Sequence, residues 1–246
     1  MNESVANNIL FLLTVFAANV VQGITGFAGT LLALPFGVFL VDIATAKAVL
    51  NVLGLSSGVQ ICLTNHKNVR MDIFRRVLTA MIPGVLAGFI VFRYLKDFET
   101  VQRLLLGVFI LAVGILNLLG GRFGWRFRGG DKNMAALLFA AGAVHGMFVC
   151  GGALLVVYMT RKVADKNEFR ATLSAIWLVL NSIILVEHVW RGYFDARTLA
   201  MTGIAVALVL GSVHLGSLLV QNMSQSFFVK LTNILLVLSG LSLVIK

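Results

Sequence analysis

The chain has 246 residues, 59% of them hydrophobic and only 12% charged, with a formal net charge of +10. Soluble domains carry roughly 25% charged residues, so the composition excludes an ordinary soluble protein and indicates a helical membrane protein. A nucleic-acid partner is not expected, because the Lys and Arg residues lie almost wholly in short loops between apolar runs, as membrane orientation requires. Cys62 and Cys150 have apolar surroundings and no metal-ligand spacing, so no metal or cofactor is expected.

Eight apolar segments follow one another along the chain. Most have about the 20 residues that a helix needs to cross a hydrocarbon core of roughly 30 Å. The first and fifth are longer, and several glycines interrupt each of them. The N-terminal MNESVANN lacks the basic region of a cleaved signal peptide, so we expect the first segment to be retained. We predict helices over residues 9–41, 43–64, 77–95, 104–120, 134–160, 171–190, 198–220 and 229–245.

The second half of the chain repeats the first. After a shift of 123 positions, five of the fifteen positions from 21 to 35 are identical to their counterparts. We therefore predict two membrane repeats, residues 1–120 and 134–246, joined by a basic cytoplasmic linker at 121–133. The shift pairs Gln22 with His145, Gly23 with Gly146, Gly29 with Gly152, Asp42 with Asp165, and Gly88 with Gly211.

Loop charge indicates how the two long segments run. If each dips into the membrane and returns to its own side, with the N-terminus outside, the cytoplasmic loops carry 13 Lys and Arg residues against 7 outside. The positive-inside rule therefore favours re-entrant segments or hairpins over single crossings. Three full spans then remain in each half, so the halves would face opposite ways, as inverted repeats of secondary transporters do. If each long segment instead crosses the membrane twice, it also returns to its own side. The sequence leaves this alternative open.

The glycine breaks are where we predict a substrate site. Irregular backbone at membrane depth is tolerated only against protein or a water-filled cavity. A helix that begins after such a break directs free N–H groups and a partial positive charge at its surroundings. Two such helices meeting at the repeat interface suit an anion, although close helix packing is the alternative role for the glycines. The predicted substrate-binding residues are Gln22, Gly23, Thr25, Gly26, Gly29, Thr30, His145, Gly146, Gly151, Gly152, Asn51 and Ser174.

Other polar residues inside the apolar segments are few. For Asn51 and Ser174, interhelical hydrogen bonding is as strong an interpretation as substrate contact. Lys47 and Arg170 are most simply explained by snorkelling to the interface, with guidance of anions as the alternative. The sequence places no pair of carboxylates at membrane depth, which disfavours a cation pump. It also contains none of the common catalytic motifs, so no enzymatic activity is expected.

Three motifs, QGITGFAGTLLALP in the first half and AGAVHGMFVCGGALLVVY with NEFRATLSA in the second, resemble the TauE/SafE family of sulfite and organosulfonate exporters. This family is also called the 4-toluene sulfonate uptake permease family. The resemblance covers the whole chain, and it implies transport of small anions across the bacterial inner membrane. Ala28 and Ala153 depart from the pattern, standing where a glycine and a proline are common. By the resemblance, the family's glycine motifs fall on Gly23, Gly26 and Gly29, followed by Pro35, and on Gly146, Gly151 and Gly152.

We thus predict an all-α, multi-pass inner-membrane protein built from two inverted repeats, each a glycine-broken helix followed by three transmembrane helices. The predicted function is secondary transport, with export favoured, of a small anion such as sulfite or an organosulfonate by alternating access. The expected partners are that anion, the lipid bilayer and, as an option, further copies of the chain. Two alternatives stay open: a carrier of an amino acid, carboxylate or metal ion, and a membrane-embedded sulfur-transfer or assembly partner that uses Cys150.

Overall fold

A computed structural model describes residues 3–25, 28–95, 97–119 and 131–219, together with residues 234, 237 and 241. Within these residues every regular element is helical. A short 3₁₀ turn, His66–Asn68, links the third helix to the fourth. The predicted segment 229–245 and the linker 121–133 lie mostly outside the described residues. The helices are α1 Glu3–Thr25, α2 Ala28–Leu40, α3 Ile43–Asn65, α4 Met71–Tyr94, α5 Glu99–Leu119, α6 Asp131–Phe148, α7 Gly152–Lys162, α8 Lys166–Trp190 and α9 Ala196–Leu219.

Acidic side chains mark the residues at which several of the helices begin. Asp42 accepts a hydrogen bond from the backbone N–H of Thr45 at 2.8 Å, just before α3. Asp165 accepts two backbone N–H groups, from Asn167 and Glu168, at the start of α8. A side chain that takes up the free N–H groups of the first turn fixes where a helix starts. The all-helical prediction is confirmed for the described residues.

Five of the described helices are long and apolar enough to cross a membrane, namely α1, α3, α4, α8 and α9. Large apolar side chains such as Leu63 and Ile90 are exposed on their outer faces, where a bilayer would cover them. The 23 residues of α1 extend about 34 Å, whereas the 13 residues of α2 extend only about 20 Å. The multi-pass character is confirmed, and the path of the first long segment through the membrane stays a prediction.

The chain divides into two compact units that do not follow sequence order. Unit 1 comprises Met1–Leu78 with Met159–Asn222, and unit 2 comprises Thr79–Tyr158 with Met223–Lys246. Each unit therefore combines segments from both halves of the chain. The predicted repeats, with boundaries at 120 and 134, describe sequence equivalence rather than compact units, and those boundaries stay a prediction.

In unit 1 the first two helices pack side by side and run in opposite directions. Near one end of the pair, a Cβ on Gly37 would come within 2.8 Å of the ring of Phe11. Near the other end, a Cβ on Gly29 would come within 2.5 Å of the side chain of Gln22. Contact positions that rise along α1 thus fall along α2, so the two helices form an antiparallel hairpin.

In unit 1, α9 packs against α1, and the two helices run parallel. Near the N-terminal ends, Arg197 of α9 donates a hydrogen bond to Oδ1 of Asn8 at 2.6 Å. Towards the other ends, a Cβ on Gly216 would lie 2.2 Å from the carbonyl oxygen of Val20. That distance leaves no room for a side chain, so the glycine lets the two backbones come into contact.

Unit 2 contains a corresponding parallel pair, α4 and α6. Glycines four residues apart lie on one face of a helix, and each of these helices carries two of them. A Cβ added to any of the four would come within 2.2–2.3 Å of a carbonyl oxygen of the opposite helix. The backbones therefore interlock over a full turn. These glycines are Gly84 and Gly88 on α4, and Gly142 and Gly146 on α6.

The glycine contacts of the two units follow the sequence duplication. Gly146 faces the carbonyl of Val85 in unit 2, and Gly23, 123 positions before Gly146, faces the carbonyl of Val213 in unit 1. The two facing residues, Val85 and Val213, are 128 positions apart. Equivalent contact positions in α4 and α9 are therefore 128 residues apart, five more than the 123 residues that separate equivalent positions in α1 and α6.

This change of register corrects one of the predicted pairs. Gly88 was paired with Gly211, but a Cβ on Gly211 would have no neighbour within 4 Å, whereas Gly88 lies against the carbonyl of Ala143. Gly216 makes the contact in unit 1 that Gly88 makes in unit 2. The ungapped match at Gly211 was wrong because α8 has 25 residues where α3 has 23, and because the contact lies farther along α9 than along α4.

The helices α3 and α8 also pack against each other in unit 1, and they are antiparallel. Gly58 lies beside the backbone of Ser174, and Gly54 beside the side chain of Asn181. Asn51 donates a hydrogen bond to the backbone oxygen of Asn181 at 3.1 Å. The 123-residue shift maps Asn51 to Ser174 and Gly58 to Asn181, so one contact maps onto the other with the partners exchanged. This exchange is the pattern of a two-fold relation between the helices.

Candidate functional site

The break between α1 and α2 is closed by one buried glutamine. Oε1 of Gln22 accepts the backbone N–H of Gly29 at 2.7 Å, and Nε2 donates to Oγ of Ser57 at 2.9 Å. Ser57 in turn donates to the carbonyl oxygen of Gly54 at 3.1 Å. Gln22 therefore ties the first turn of α2 to the last turns of α1 and to α3. A side chain on Gly29 would displace it, since a Cβ there lies 2.5 Å from Oε1.

Arg170 reaches the same region from α8. Its Nη2 donates a hydrogen bond to the carbonyl oxygen of Gly23 at 3.0 Å, one residue along the chain from Gln22. Its Nε atom is buried and has no hydrogen-bond partner among the described residues. The guanidinium thus faces the C-terminal end of α1, where carbonyl groups carry a partial negative charge. For Arg170, which is partly exposed, snorkelling stays a prediction.

The break between α6 and α7, in unit 2, has a strained backbone. Val149 has a φ of 57°, a left-handed conformation that β-branched residues rarely adopt. It precedes Cys150, a buried free thiol. The N–H of Gly151 donates to Nδ1 of His145 at 3.4 Å, which requires that this nitrogen carry no proton. A Cβ on Gly151 would lie 2.2 Å from the carbonyl oxygen of Ala141, so only glycine fits there.

Gln22 and His145, which the repeat pairs, play the same part at the two breaks. Each is buried, and each accepts a backbone N–H from the start of the helix that follows. Neither is a carboxylate, and the first turns of α2 and α7 contain no acidic residue. Five other helices, α3, α4, α5, α8 and α9, have a carboxylate at the N-terminal end, either within the first turn or as the cap. These residues are Asp42, Asp72, Glu99, Asp165 and Asp195.

Several polar groups are buried in or beside the contact of α3 with α8. Asn51 is 0% exposed and Ser174 is 1% exposed. Oδ1 of Asn51 and Oγ of Ser174 have no hydrogen-bond partner among the described residues. Lys47 is also buried, at 1% exposure, so the snorkelling interpretation was wrong for Lys47. Because buried polar atoms are usually paired, the two orphan oxygens are candidates for contact with substrate or water.

Charged residues gather where the link between α3 and α4 meets the start of α8. Arg70 forms ion pairs with Asp72 at 2.9 Å and with Glu168 at 3.4 Å. Its backbone N–H donates to Oγ1 of Thr172 at 2.9 Å. The hydrogen bonds to Asp72 and then Glu168 raise the pKa of Arg70. This arginine is neutralised by its own neighbours, whereas Arg170 has no acidic partner among the described residues.

The family model described as "Sulfite exporter TauE/SafE" matches residues 10–243. The chain belongs to the TauE/SafE family. Among curated proteins it is similar to "Probable inner membrane transporter protein TsaS" of Comamonas testosteroni, with 26% identity over 189 residues, 73% of this chain and 74% of that protein. No solved structure matches the chain.

Membership of the TauE/SafE family confirms the recognition made from the glycine motifs. It also confirms that the protein is a multi-pass transporter of the inner membrane, with a small-molecule substrate and the bilayer as its surroundings. The TauE/SafE match covers nearly all of both predicted repeats, so the two breaks belong to the family's common region.

The predicted site residues of this TauE/SafE protein fall into several groups, and substrate contact stays a prediction for all of them. Gly23 and Gly146 bring helices together, while the other described residues lie at the breaks or between α3 and α8. Gly26 and the side chain of Thr25 lie outside the described residues. At the first break or beside it are Gln22, Gly29 and Thr30; at the second are His145, Gly151 and Gly152; between α3 and α8 are Asn51 and Ser174.

The predicted list of site residues left out two residues at the first break, although guidance of anions was an alternative for one of them, Arg170. Ser57 offered no signal beyond a hydroxyl in an apolar segment. Arg170 offered one, because the repeat pairs it with Lys47 at the start of equivalent helices. A cation retained at the same position in both repeats is harder to explain by snorkelling than a single one.

Proposed function

We propose that this protein is a secondary transporter that carries a small anion, such as sulfite or an organosulfonate, and exports it by alternating access. The description of the family, a sulfite exporter, supports a sulfur oxyanion as substrate and export as the direction of transport. The name of the Comamonas testosteroni relative supports transport across the inner membrane. In unit 1 the anion is proposed to interact with the first turn of α2, and in unit 2 the first turn of α7 offers a helix start of the same kind.

The distribution of carboxylates at helix starts is the observation that most strongly supports an anion. A helix N-terminus carries roughly half a positive charge, and a nearby carboxylate neutralises it. The helices α2 and α7 lack such a carboxylate, unlike α3, α4, α5, α8 and α9, and the side chains of Gln22 and His145 each accept one N–H at these two helix starts. The positive ends of these two helices therefore stay available for a negative ligand.

We also propose that the two repeats are inverted and that the breaks are functional. The helices α3 and α8 occupy equivalent places in the two halves, yet they run antiparallel. Equivalent helices with opposite directions are expected when each repeat has an odd number of spans. The parallel pairs α1 with α9 and α6 with α4 support the same duplication, because equivalent glycines mediate both.

A binding screen of the purified protein tests the substrate class. The ligands are sulfite, sulfate, thiosulfate, a short alkanesulfonate, small carboxylates, an amino acid and a divalent cation, each measured by calorimetry and by the shift in thermal midpoint. We expect saturable binding of at least one sulfur oxyanion. Saturable binding of the cation or the amino acid, with no binding of any anion, would overturn the proposal.

A second experiment tests the role of the α2 N-terminus directly. Thr30 lies in the first turn of α2, and Thr30→Asp adds the carboxylate that this helix lacks. The added carboxylate should compete with the anion and abolish binding. The control variant Thr30→Asn, whose side chain is neutral and equal in size to aspartate, should still bind the anion. Equal binding by the two variants would show that the charge of this helix end is not used.

A further inference from the structure

We propose that Arg170 is the charged side chain that binds the anion at the break between α1 and α2. The inference rests on the proposed anion substrate and assigns a residue to it. A guanidinium presents several N–H groups in one plane, so it selects ligands with two or more oxygens on one atom. Sulfite, sulfate and sulfonates share that geometry.

Among the residues that the structure describes, one hydrogen bond holds Arg170 at the break. Its Nη2 donates to the carbonyl oxygen of Gly23, and Gln22, the next residue back, holds the first turn of α2 through Gly29. The guanidinium and the N-terminus of α2 therefore converge on the same few residues. One N–H is used to fix the side chain, and the buried Nε has no partner among the described residues. A donor for a ligand is thus left beside the helix end.

The charge of Arg170 is also unbalanced. Arg70 is paired with Asp72 and Glu168, and Arg191 with Glu187, but Arg170 forms no ion pair among the described residues. It lies near the start of a helix long and apolar enough to cross the membrane, and a partly buried charge without a counter-ion in such a helix is a candidate for a functional role. Such a charge loses least free energy when an anion shares its surroundings.

A structural role is the competing explanation, since Arg170 also satisfies a carbonyl at the C-terminal end of α1. The two roles differ in their response to ligand charge. A residue that only fixes α1 would affect all ligands alike. A residue that touches the anion would matter more for a dianion than for a monoanion, because the Coulomb attraction scales with charge.

The test measures binding of two probes, sulfite well above neutral pH as a dianion and ethanesulfonate as a monoanion, by calorimetry on the full chain. The variants are Arg170→Gln, Arg170→Lys and the control Arg75→Gln, an exposed arginine in α4. We expect Arg170→Gln to weaken sulfite binding by about 10- to 100-fold and ethanesulfonate binding less. Arg170→Lys should weaken both by several-fold and keep their ratio, and Arg75→Gln should match the natural protein.

The remaining outcomes would contradict either the proposed function or the role of Arg170, and they distinguish the two. If the natural protein binds neither probe nor any other anion, the proposed function fails, and this inference with it. If it binds them and Arg170→Gln binds equally well, or loses both probes to the same extent, the inference is overturned while the anion substrate stands. Should Arg170→Gln not fold, Arg170→Lys decides, because unchanged affinity for both probes would exclude contact through the guanidinium fork.

Discussion

Replacing Gly84 with alanine tests the close contact of α4 with α6. A Cβ at this position would lie 2.2 Å from the carbonyl oxygen of Phe139 and 3.0 Å from the backbone N of Ala143. Both neighbours are backbone atoms, so neither can rotate away as a side chain would. The helices must separate by about 1 Å to admit the methyl group, and overpacking of this kind typically costs about 1–3 kcal/mol.

Gly203 supplies the matched control. It lies inside α9, as Gly84 lies inside α4, but a Cβ there would have no neighbour within 4 Å. Alanine is favoured over glycine by up to about 1 kcal/mol within a helix, and both substitutions gain that term. Gly203→Ala should therefore be neutral or stabilising, and Gly84→Ala should be less stable than Gly203→Ala by about 1–3 kcal/mol.

The measurement is the unfolding of both variants in the same detergent, followed by helix content against temperature or denaturant. Comparing the two variants with each other removes the propensity term, because it is common to them. Gly84→Ala protein that unfolds together with Gly203→Ala, or after it, would refute the interlocked packing of α4 and α6.

Three further substitutions have expected outcomes. Gln22→Ala removes two buried hydrogen bonds, so it should lower stability by about 1–3 kcal/mol and reduce transport in proteoliposomes; unchanged stability and transport would contradict its role at the break. The free energy of unfolding of Val149→Gly should exceed that of Val149→Ala by about 1 kcal/mol, because glycine adopts the left-handed conformation without a steric cost. At helical positions the order is the reverse, so a more stable Val149→Ala would contradict the left-handed conformation. The N–H of Thr198 lowers the pKa of Asp195, so this cap stabilises the fold above the ordinary aspartate pKa and loses its effect as pH falls through the lowered value. Asp195→Asn should therefore reduce the thermal midpoint at neutral pH but not in acid, and an equal reduction at both would contradict this linkage.

The helices were predictable because apolar run length and acidic caps are local properties. The runs 43–64 and 171–190 became α3 and α8 with nearly the predicted bounds, and the glycine clusters fell where two helices end. The duplication identified equivalent positions, but equivalence does not say which helices touch. That α1 pairs with α9, and α6 with α4, depends on the closest fit of glycine faces, which only the folded chain reveals.

Prediction of the candidate site was less complete, for reasons visible at particular residues. Gln22 and His145 were found because the duplication aligned two polar residues at glycine breaks. Lys47 was given the wrong orientation, because a cation near the end of an apolar run can turn outward or inward, and tertiary packing decides between the two. Gly23 and Gly146 were predicted to bind substrate, and they lie against carbonyl groups of neighbouring helices. The spacing of glycines alone cannot distinguish close helix packing from substrate binding.

The packing of unit 1 cannot be completed until the ribosome has synthesised α9, because α9 packs against α1. Its first three helices are complete by residue 65, and α8 and α9 end at residues 190 and 219. At about 5–20 residues per second, the early helices wait roughly 10–30 s for their partners. During that interval Lys47 and Asn51, buried in the finished unit, must be shielded by lipid headgroups, water or the insertion machinery. A break in translation after the first half would therefore leave exposed polar groups in the membrane and mark the fragment for degradation.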